Sequence, residues 1–268
     1  MLGSFPSYHA ASVPHFFATQ NDCYVHWEHV MQQFSCQIEL GGVPLQCRLG
    51  FQESQRFFER HALLTQREPV GVIAASDEDW SYMERSGFAR DALSETTMIV
   101  ALASDLLLQQ NRCMIHAVAI RHKDDAWLIT APSGVGKSTQ VRTLQELYPG
   151  EFSVICGDRP VLELLDGGGA FVHPSPWNGK EGWHGAEGAA LAGIICLERG
   201  NEDLVLPLSK RDSVVPVFHA LIQSGKTPSG IRSAAAFEEE LLNRTSLWRM
   251  VNRDIPGSTK LLYHTLFE

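Results

Sequence analysis

Lys137 and Ser138 close the run Ala131-Pro-Ser-Gly-Val-Gly-Lys-Ser-Thr139, and their types and spacing suit one task, the holding of a phosphate chain. A Gly-rich turn leading from a strand into a helix points backbone N–H groups inward, and the helix N-terminus adds partial positive charge. Gly134 and Gly136 let the backbone approach an anion closely. In this reading Ser133, Gly134, Val135, Gly136, Lys137, Ser138 and Thr139 form the cradle. Lys137 reaches the terminal phosphates of ATP, and the Ser138 hydroxyl ligates Mg²⁺. The full pattern begins with Gly, whereas this chain has Ala131 there. The competing reading is an ordinary Gly-rich turn with a solvated lysine.

A second acid-bearing stretch follows about twenty residues after Lys137, the spacing of the second half of many nucleotide sites. Phe152-Ser-Val-Ile-Cys-Gly-Asp158 is an apolar strand ending in a carboxylate, which in such sites meets Mg²⁺ directly or through water. Its bland counterpart is any strand that ends in Asp before a turn. Further on, Pro174 to Trp183 lacks periodicity, is rich in turn formers, and carries one cation, Lys180, between two indoles. Such loops often bear function on a rigid scaffold. Equally, this one reads as a surface loop pinned by Trp177.

These residues need elements to position them. Ala126–Thr130 reads as the strand entering the Gly-rich turn, and Val141, Leu144 and Leu147 recur at helical spacing up to Pro149-Gly150. Cys113 to Ile120 reads as one strand, joined to Ala126–Thr130 by the polar turn Arg121–Asp125. Strands linked so tightly pair antiparallel, which implies a mixed sheet rather than a plain Rossmann order. A hairpin is expected over 161–173, a buried strand over Ala192–Leu197, and helices over Arg211–Ser224 and Phe237–Met250. Lys260–Leu266 reads as a last strand. Upstream, residues 1–22 form an irregular arm, and Tyr24–Trp27, Phe34–Leu40 and Leu45–Leu49 favour β structure, with Gly41–Pro44 as a turn. A short helix over Gln52–Leu64 and an apolar run at Gly71–Ala75 follow. Ser76–Arg85 reads as exposed polar chain, and an amphipathic helix capped by Ser94 runs to Asn111.

With 268 residues, 44% of them hydrophobic and 20% charged, the chain has the composition of a soluble globular protein. Its net charge of −9 argues against a nucleic-acid surface and provides no basic patch for a membrane. No apolar run reaches bilayer-spanning length, and the N-terminal residues lack the basic start and apolar core of a signal peptide. The six cysteines are scattered without a C-x-x-C pair and read as reduced, structural thiols, which places the protein in the cytoplasm. The oligomeric state stays open, a homo-oligomer being allowed.

The order of pieces resembles a known family. A strand with His116, a hairpin, S-G-V-G-K-S-T, a strand ending at Asp158, P-W-N-G-K-E-G and L-E-R-G are similar to the C-terminal catalytic domain of the HPr kinase/phosphorylase family. The likeness is nearest to the smaller HPr-kinase-like proteins, some encoded beside ribosomal-peptide biosynthesis genes. It spans residues 94–266. The resemblance implies an α/β fold with a mixed sheet, related to phosphoenolpyruvate carboxykinase, and a nucleotide-binding catalytic domain over 91–268; residues 1–90, a small region read as β-rich from its own pattern and of unknown role, lie outside it. It further implies Lys137 and Ser138 in phosphate and Mg²⁺ roles, His116 near the transferred phosphate, and Lys180 in contact with phosphate or substrate. The family has two adjacent acids, one a general base and one a metal ligand. Here Gly157 and Arg159 flank a single acid, so Asp158 stands for either duty. The family's R-P-G-R-N-type stretch, linked to the phosphorylase reaction, is absent.

Together these readings imply an ATP- and Mg²⁺-dependent kinase acting on a hydroxyl, with a serine of a peptide or protein as acceptor. Two alternatives stand beside it: a non-catalytic module that reports ATP to a partner, and a kinase of a small-molecule hydroxyl.

Overall fold

The computed structural model describes residues 34–223 and 228–268. The expected arm over 1–22, the strand at Tyr24–Trp27 and the Gly/Pro break near 225 lie outside these residues. The chain is a mixed α/β protein with two mixed sheets. Strands β1 (Phe34–Leu40) and β2 (Val43–Leu49) form a hairpin over Gly41-Gly42, both at positive φ. Helix α1 (Gln52–His61), β3 (Leu63–Leu64) and β4 (Val72–Ala74) complete a sheet of order β3-β1-β2-β4. Helices α2 (Asp77–Arg85) and α3 (Ala92–Leu108) lead into the second sheet.

That sheet holds β5 (Arg112–Met114), β6 (Ala117–His122) and β7 (Asp125–Thr130), followed by helix α4 (Lys137–Leu147). Next come β8 (Phe152–Cys156), β9 (Val161–Leu164), β10 (Ala170–His173), β11 (Ala189–Arg199) and β12 (Leu204–Pro207). Helices α5 (Lys210–Ala220) and α6 (Pro228–Arg244), strand β13 (Ser246–Asn252) and helix α7 (Ile255–Leu266) end the chain. The order is β5-β9-β10-β11-β7-β6-β8, with β13 on β11 and β12 on β13. β7, β11 and β13 are parallel neighbours, while β6 is antiparallel to both β7 and β8. The mixed sheet expected from the tight Arg121–Asp125 turn is present.

Alternation along the central strands explains the layering. Leu128, Ile194 and Cys196 point into a core with Phe237 and Leu241 of α6 and Val217 of α5. Ile129, Ile195 and Leu197 point the other way, toward Val141 and Leu144 of α4 and Leu262 of α7. A strand of period two buried on both faces reads as a continuous apolar run, which is how these strands look in the sequence. A third cluster joins Ile38, Leu45, Cys47 and Phe58 to Ile99 of α3 and to Met114, Val161 and Trp177 of the second sheet's side. No helix among the described residues is long and apolar enough to cross a membrane.

Several elements differ from the sequence reading. Ser76–Arg85 is not exposed polar chain. Ser76 and Asp79 form a reciprocal capping box, and the helix buries Trp80 and Met83. Helix α3 is capped by Asp91, whose carboxylate accepts from Ser94 N at 2.8 Å, so the helix starts a turn before Ser94's expected cap. The stretch after Arg244 is strand β13 in parallel register with β11, not a continuation of the helix. The last element is a helix, not a strand: Asp254 caps it and Pro256 sits in its first turn. The run Cys113–Ile120 is two strands, broken at Ile115–His116.

Phe58 lies fully buried between the small sheet and Trp177, its ring 5.8 Å from the indole. Phe58→Ala should cost about 3–5 kcal/mol of unfolding free energy. Chemical denaturation checks this; a loss under ~1 kcal/mol would show that this shared core is not tightly packed.

Candidate active site

The Gly-rich turn begins at the C-terminal end of β7. Gly134 and Gly136 hold positive φ of 79° and 124°, and a Cβ at either position would meet no atom within 4 Å. These glycines are therefore required by backbone conformation and leave open space above the turn. The first residues of α4 are Lys137, Ser138 and Thr139, whose N–H groups have no carbonyl a turn earlier to bond. Such a terminus favours an anion. Among the described residues the Ser138 hydroxyl has no hydrogen-bond partner, so it is free to meet a ligand.

Lys137 folds back over the turn. Its Nζ donates to Ala131 O at 2.9 Å and lies 3.2 Å from His116 Nε2. Ala131 thus contributes its main chain, which any residue type provides. Burial lowers the Lys137 pKa, and the charge of Asp158 partly offsets that effect.

His116 occupies the break between β5 and β6, and its main chain is fixed on both sides. Its N–H donates to Ala220 O at 2.8 Å, and its carbonyl accepts from Thr130 Oγ1 at 3.0 Å. Burial, helped by the nearby Lys137 charge, pushes the imidazole pKa down to about 4, against a small opposing pull from Asp158. The ring is therefore neutral near pH 7. Its Nε2 also lies 3.4 Å from Asp158 Oδ1. With the proton on Nδ1 this nitrogen accepts from Lys137; with the proton on Nε2 it donates to Asp158. One nitrogen cannot do both at once.

Asp158 lies just past the end of β8, in a segment clasped by the 174–183 loop. Gly157 N–H donates to Trp183 O at 3.0 Å and Arg159 N–H to Trp177 O at 3.2 Å, while Asp158 O accepts from Ala117 N–H at 2.9 Å. A Cβ on Gly157 would stand 2.4 Å from Asn178 O. The close approach of the loop thus demands glycine beside the acid and excludes a second carboxylate at that position. The loop itself is anchored by Trp177, buried with its Nε1 donating to Thr96 O at 3.1 Å, and by the buried Asn178. With its amide nitrogen turned toward Ser175 O and Trp183 O, Asn178 donates to both, at 3.0 and 3.2 Å.

Lys180 is exposed on the same loop. Its predecessor Gly179 packs against Asp158, and its successor Glu181 pairs with Arg142 of α4 at 2.7 Å. The loop therefore carries Lys180 between a residue packed on Asp158 and one paired to α4. Trp177 is the hydrophobic anchor of the pinned-loop reading, and Gly179 beyond it packs against Asp158.

Two arginines escaped the sequence reading. Arg159 Nε lies 3.3 Å from Asp158 Oδ2, so the carboxylate faces His116 with one oxygen and a guanidinium with the other. Arg199, at the end of β11, donates to Val135 O at 3.1 Å and Gly134 O at 2.8 Å. It grips the turn because β11 and β7 are parallel neighbours ending on the same edge. A cavity of about 380 Å³ lies at Arg199, lined also by Asn201, Glu202 and Arg249; Lys137, His116 and Asp158 do not line it. The signal for Arg159 was its adjacency to Asp158, whereas Arg199 needed the strand order.

The chain matches no family model and no curated protein. Among solved structures it is similar to the HPr(Ser) kinase/phosphatase from Coxiella burnetii, at 13% identity and a TM-score of 0.32, over 57% of this chain and 96% of that one.

Two measurements test this geometry without reference to activity. Gly157→Ala should cost about 1–3 kcal/mol, because the new methyl meets a backbone carbonyl that cannot yield without moving the loop. Unchanged stability would mean that the loop does not press on Gly157. The second concerns His116, whose folded pKa of about 4 lies below its ordinary 6.5. Between those values the unfolded chain binds a proton that the folded chain refuses, so stability falls as pH drops from 6.5 toward 4. His116→Asn removes this contribution. Denaturation midpoints of the variant should fall less steeply than wild type across that window; parallel curves would contradict the buried neutral imidazole.

Proposed function

We propose that the protein is a phosphotransferase that moves the γ-phosphoryl group of ATP to a hydroxyl, with a serine of a peptide or protein as acceptor. One observation carries the reading. Lys137, His116 and Asp158, separated by 21 to 42 positions in the chain, meet within 3.4 Å at the mouth of a Gly-rich turn that starts a helix. The motif order described above supports the same class.

In this reading amides of the turn and of the first residues of α4 receive the phosphates. Lys137 leaves its contact with Ala131 O and places its charge on the transferring group. Phosphoryl transfer asks little covalent chemistry of a protein and depends on positioning and charge neutralisation. Ser138, with an unpartnered hydroxyl, and Asp158, with a carboxylate at the site, are suitable oxygen ligands for Mg²⁺, which when bound would neutralise charge on the phosphate oxygens. Asp158 accepts or orients the proton of the acceptor hydroxyl, held in place by Arg159 on one oxygen and His116 on the other. His116, neutral, adds no charge to the crowded cations; once Lys137 turns to the phosphate, Nε2 carries the proton and donates to Asp158. Lys180, exposed on the loop that clasps Asp158, is the cation assigned to orient the acceptor.

Lys137→Ala should lower turnover of ATP by at least ~10², or ~3 kcal/mol, with folding intact. Turnover within about threefold of wild type, under ~1 kcal/mol, would remove the nucleotide-site assignment. Asp158→Asn keeps the shape and deletes the charge, so transfer should be nearly lost while ATP binding without Mg²⁺ changes little. Activity retained with only stability reduced would leave Asp158 a strand-end acid. Incubation with γ-labelled ATP, comparing wild type with Lys180→Ala on a serine peptide, separates the acceptor classes. The variant should lose up to ~10² in transfer with ATP affinity held within a few-fold. Label on a metabolite rather than peptide would point to a small-molecule kinase, and tight ATP binding with no labelled acceptor to a nucleotide-reporting module.

A further inference from the structure

Five cysteines lie among the described residues, all as free thiols. Three are solitary and buried. Cys113 donates to main-chain carbonyls, Cys156 lies against the Ser175 hydroxyl and Trp177 O, and burial drives the thiols of Cys113 and Cys196 up to about 12. Such thiols are inert. The other two stand opposite each other. Cys36 of β1 and Cys47 of β2 are register partners in the hairpin, so their side chains leave the same face. Opposed residues of an antiparallel pair have Cα atoms about 4.5–5.5 Å apart, inside the ~4.4–6.8 Å that a disulfide spans. Cys47 is fully buried and Cys36 is half-exposed. Cys36 also lines a cavity of about 270 Å³ whose other walls include Ser35, Gln46, Glu59 and Thr65. Cys36 is the more exposed of the two, so an outside reagent meets it before Cys47.

We propose that Cys36 and Cys47 form an oxidisable pair, in which Cys36 reacts with a peroxide and Cys47 resolves the product to a disulfide across the β1–β2 hairpin. The Cys36 thiolate attacks one peroxide oxygen; the O–O bond breaks, and the departing hydroxide leaves as water, giving a sulfenic acid on Cys36. The Cys47 sulfur then attacks the Cys36 sulfur, the S–O bond breaks, and the hydroxyl leaves with the Cys47 proton as a second water. Each sulfur gives up one electron and the peroxide gains both. The Cys47 thiol, placed to hydrogen-bond to the Cys36 sulfur, lowers the Cys36 pKa against the opposing effects of burial and Glu59. The thiolate is therefore favoured on the accessible partner. Cys47 shares its core with Phe58 and Trp177, so the link would form directly beneath the packing that anchors the 174–183 loop.

The test uses the full chain, reduced, freed of reductant, and treated with graded hydrogen peroxide. Alkylation, proteolysis and mass spectrometry then follow every cysteine. The expected result is a linked peptide pair joining Cys36 to Cys47, lighter by two hydrogens, with both alkylated forms disappearing together and returning with dithiothreitol. Cys113, Cys156 and Cys196 should stay alkylatable after denaturation throughout. In Cys47→Ala, checked for folding by circular dichroism, Cys36 should advance to sulfinic acid at least ~10-fold more than in wild type, since no thiol intercepts the sulfenic acid. Wild-type Cys36 that over-oxidises without a link, that links to Cys23 instead, or that stays unreactive at peroxide levels that oxidise an exposed thiol peptide overturns the proposal.

Discussion

The candidate site depends on a two-residue break in a ladder. At Ile115 and His116 the chain leaves β5, which pairs with β9, and enters β6, which pairs with β7 and β8. Residues in the break cannot use the regular ladder, and an unpaired buried peptide group costs about as much as a lost hydrogen bond. Each finds a partner elsewhere: Ile115 N–H at Pro160 O, His116 N–H at Ala220 O, and Ala117 N–H at Asp158 O. Those bonds, with that of the Thr130 hydroxyl to His116 O, tie the end of β7, the segment just past β8 and the end of α5 to one point. The imidazole comes between Lys137 and Asp158 because its own backbone is what holds their segments together.

A largely apolar stretch gives little hint of such a break. Cys113 to Ile120 is apolar apart from His116, and only the neighbouring strands decide that β5 and β6 answer to different partners. The Gly-rich turn was legible because its residues carry their own reason: positive φ at Gly134 and Gly136, and a helix starting at Lys137. The hairpin over Gly41-Gly42 and the one over Asp166–Gly169 were legible for the same local reason. Elements whose identity rests on one buried face were misread. Leu261-Leu-Tyr-His-Thr-Leu266 is a short run that mixes apolar residues with the β-formers Tyr263 and Thr265, and only the Asp254 cap and Pro256 betray the helix. The acidic Asp77–Arg85 segment hid a helix because its fully buried apolar residues are only Trp80 and Met83.

Electrostatics at the site follow from the same packing. Three cations, Lys137, Arg159 and Arg199, lie around one turn, with Asp158 as the acid paired to both His116 and Arg159. Adding an imidazolium to this set would raise the repulsion, and burial already disfavours it, so His116 stays neutral. An excess of positive charge beside a helix N-terminus is the field an anionic ligand requires. The overall charge of −9 does not reveal this, because the cations are gathered by strand order and are dispersed in the sequence.

Arg199's two hydrogen bonds to the carbonyls of Gly134 and Val135 bear on the thermodynamics of any ligand that enters the turn. A glycine-containing segment loses more backbone freedom on ordering than any other, roughly 1–2 kcal/mol per residue. Where that ordering accompanies binding, it subtracts from affinity. A guanidinium that holds the turn by two of its carbonyls shifts this loss to the folding of the chain. The ligand then meets a surface already shaped to it.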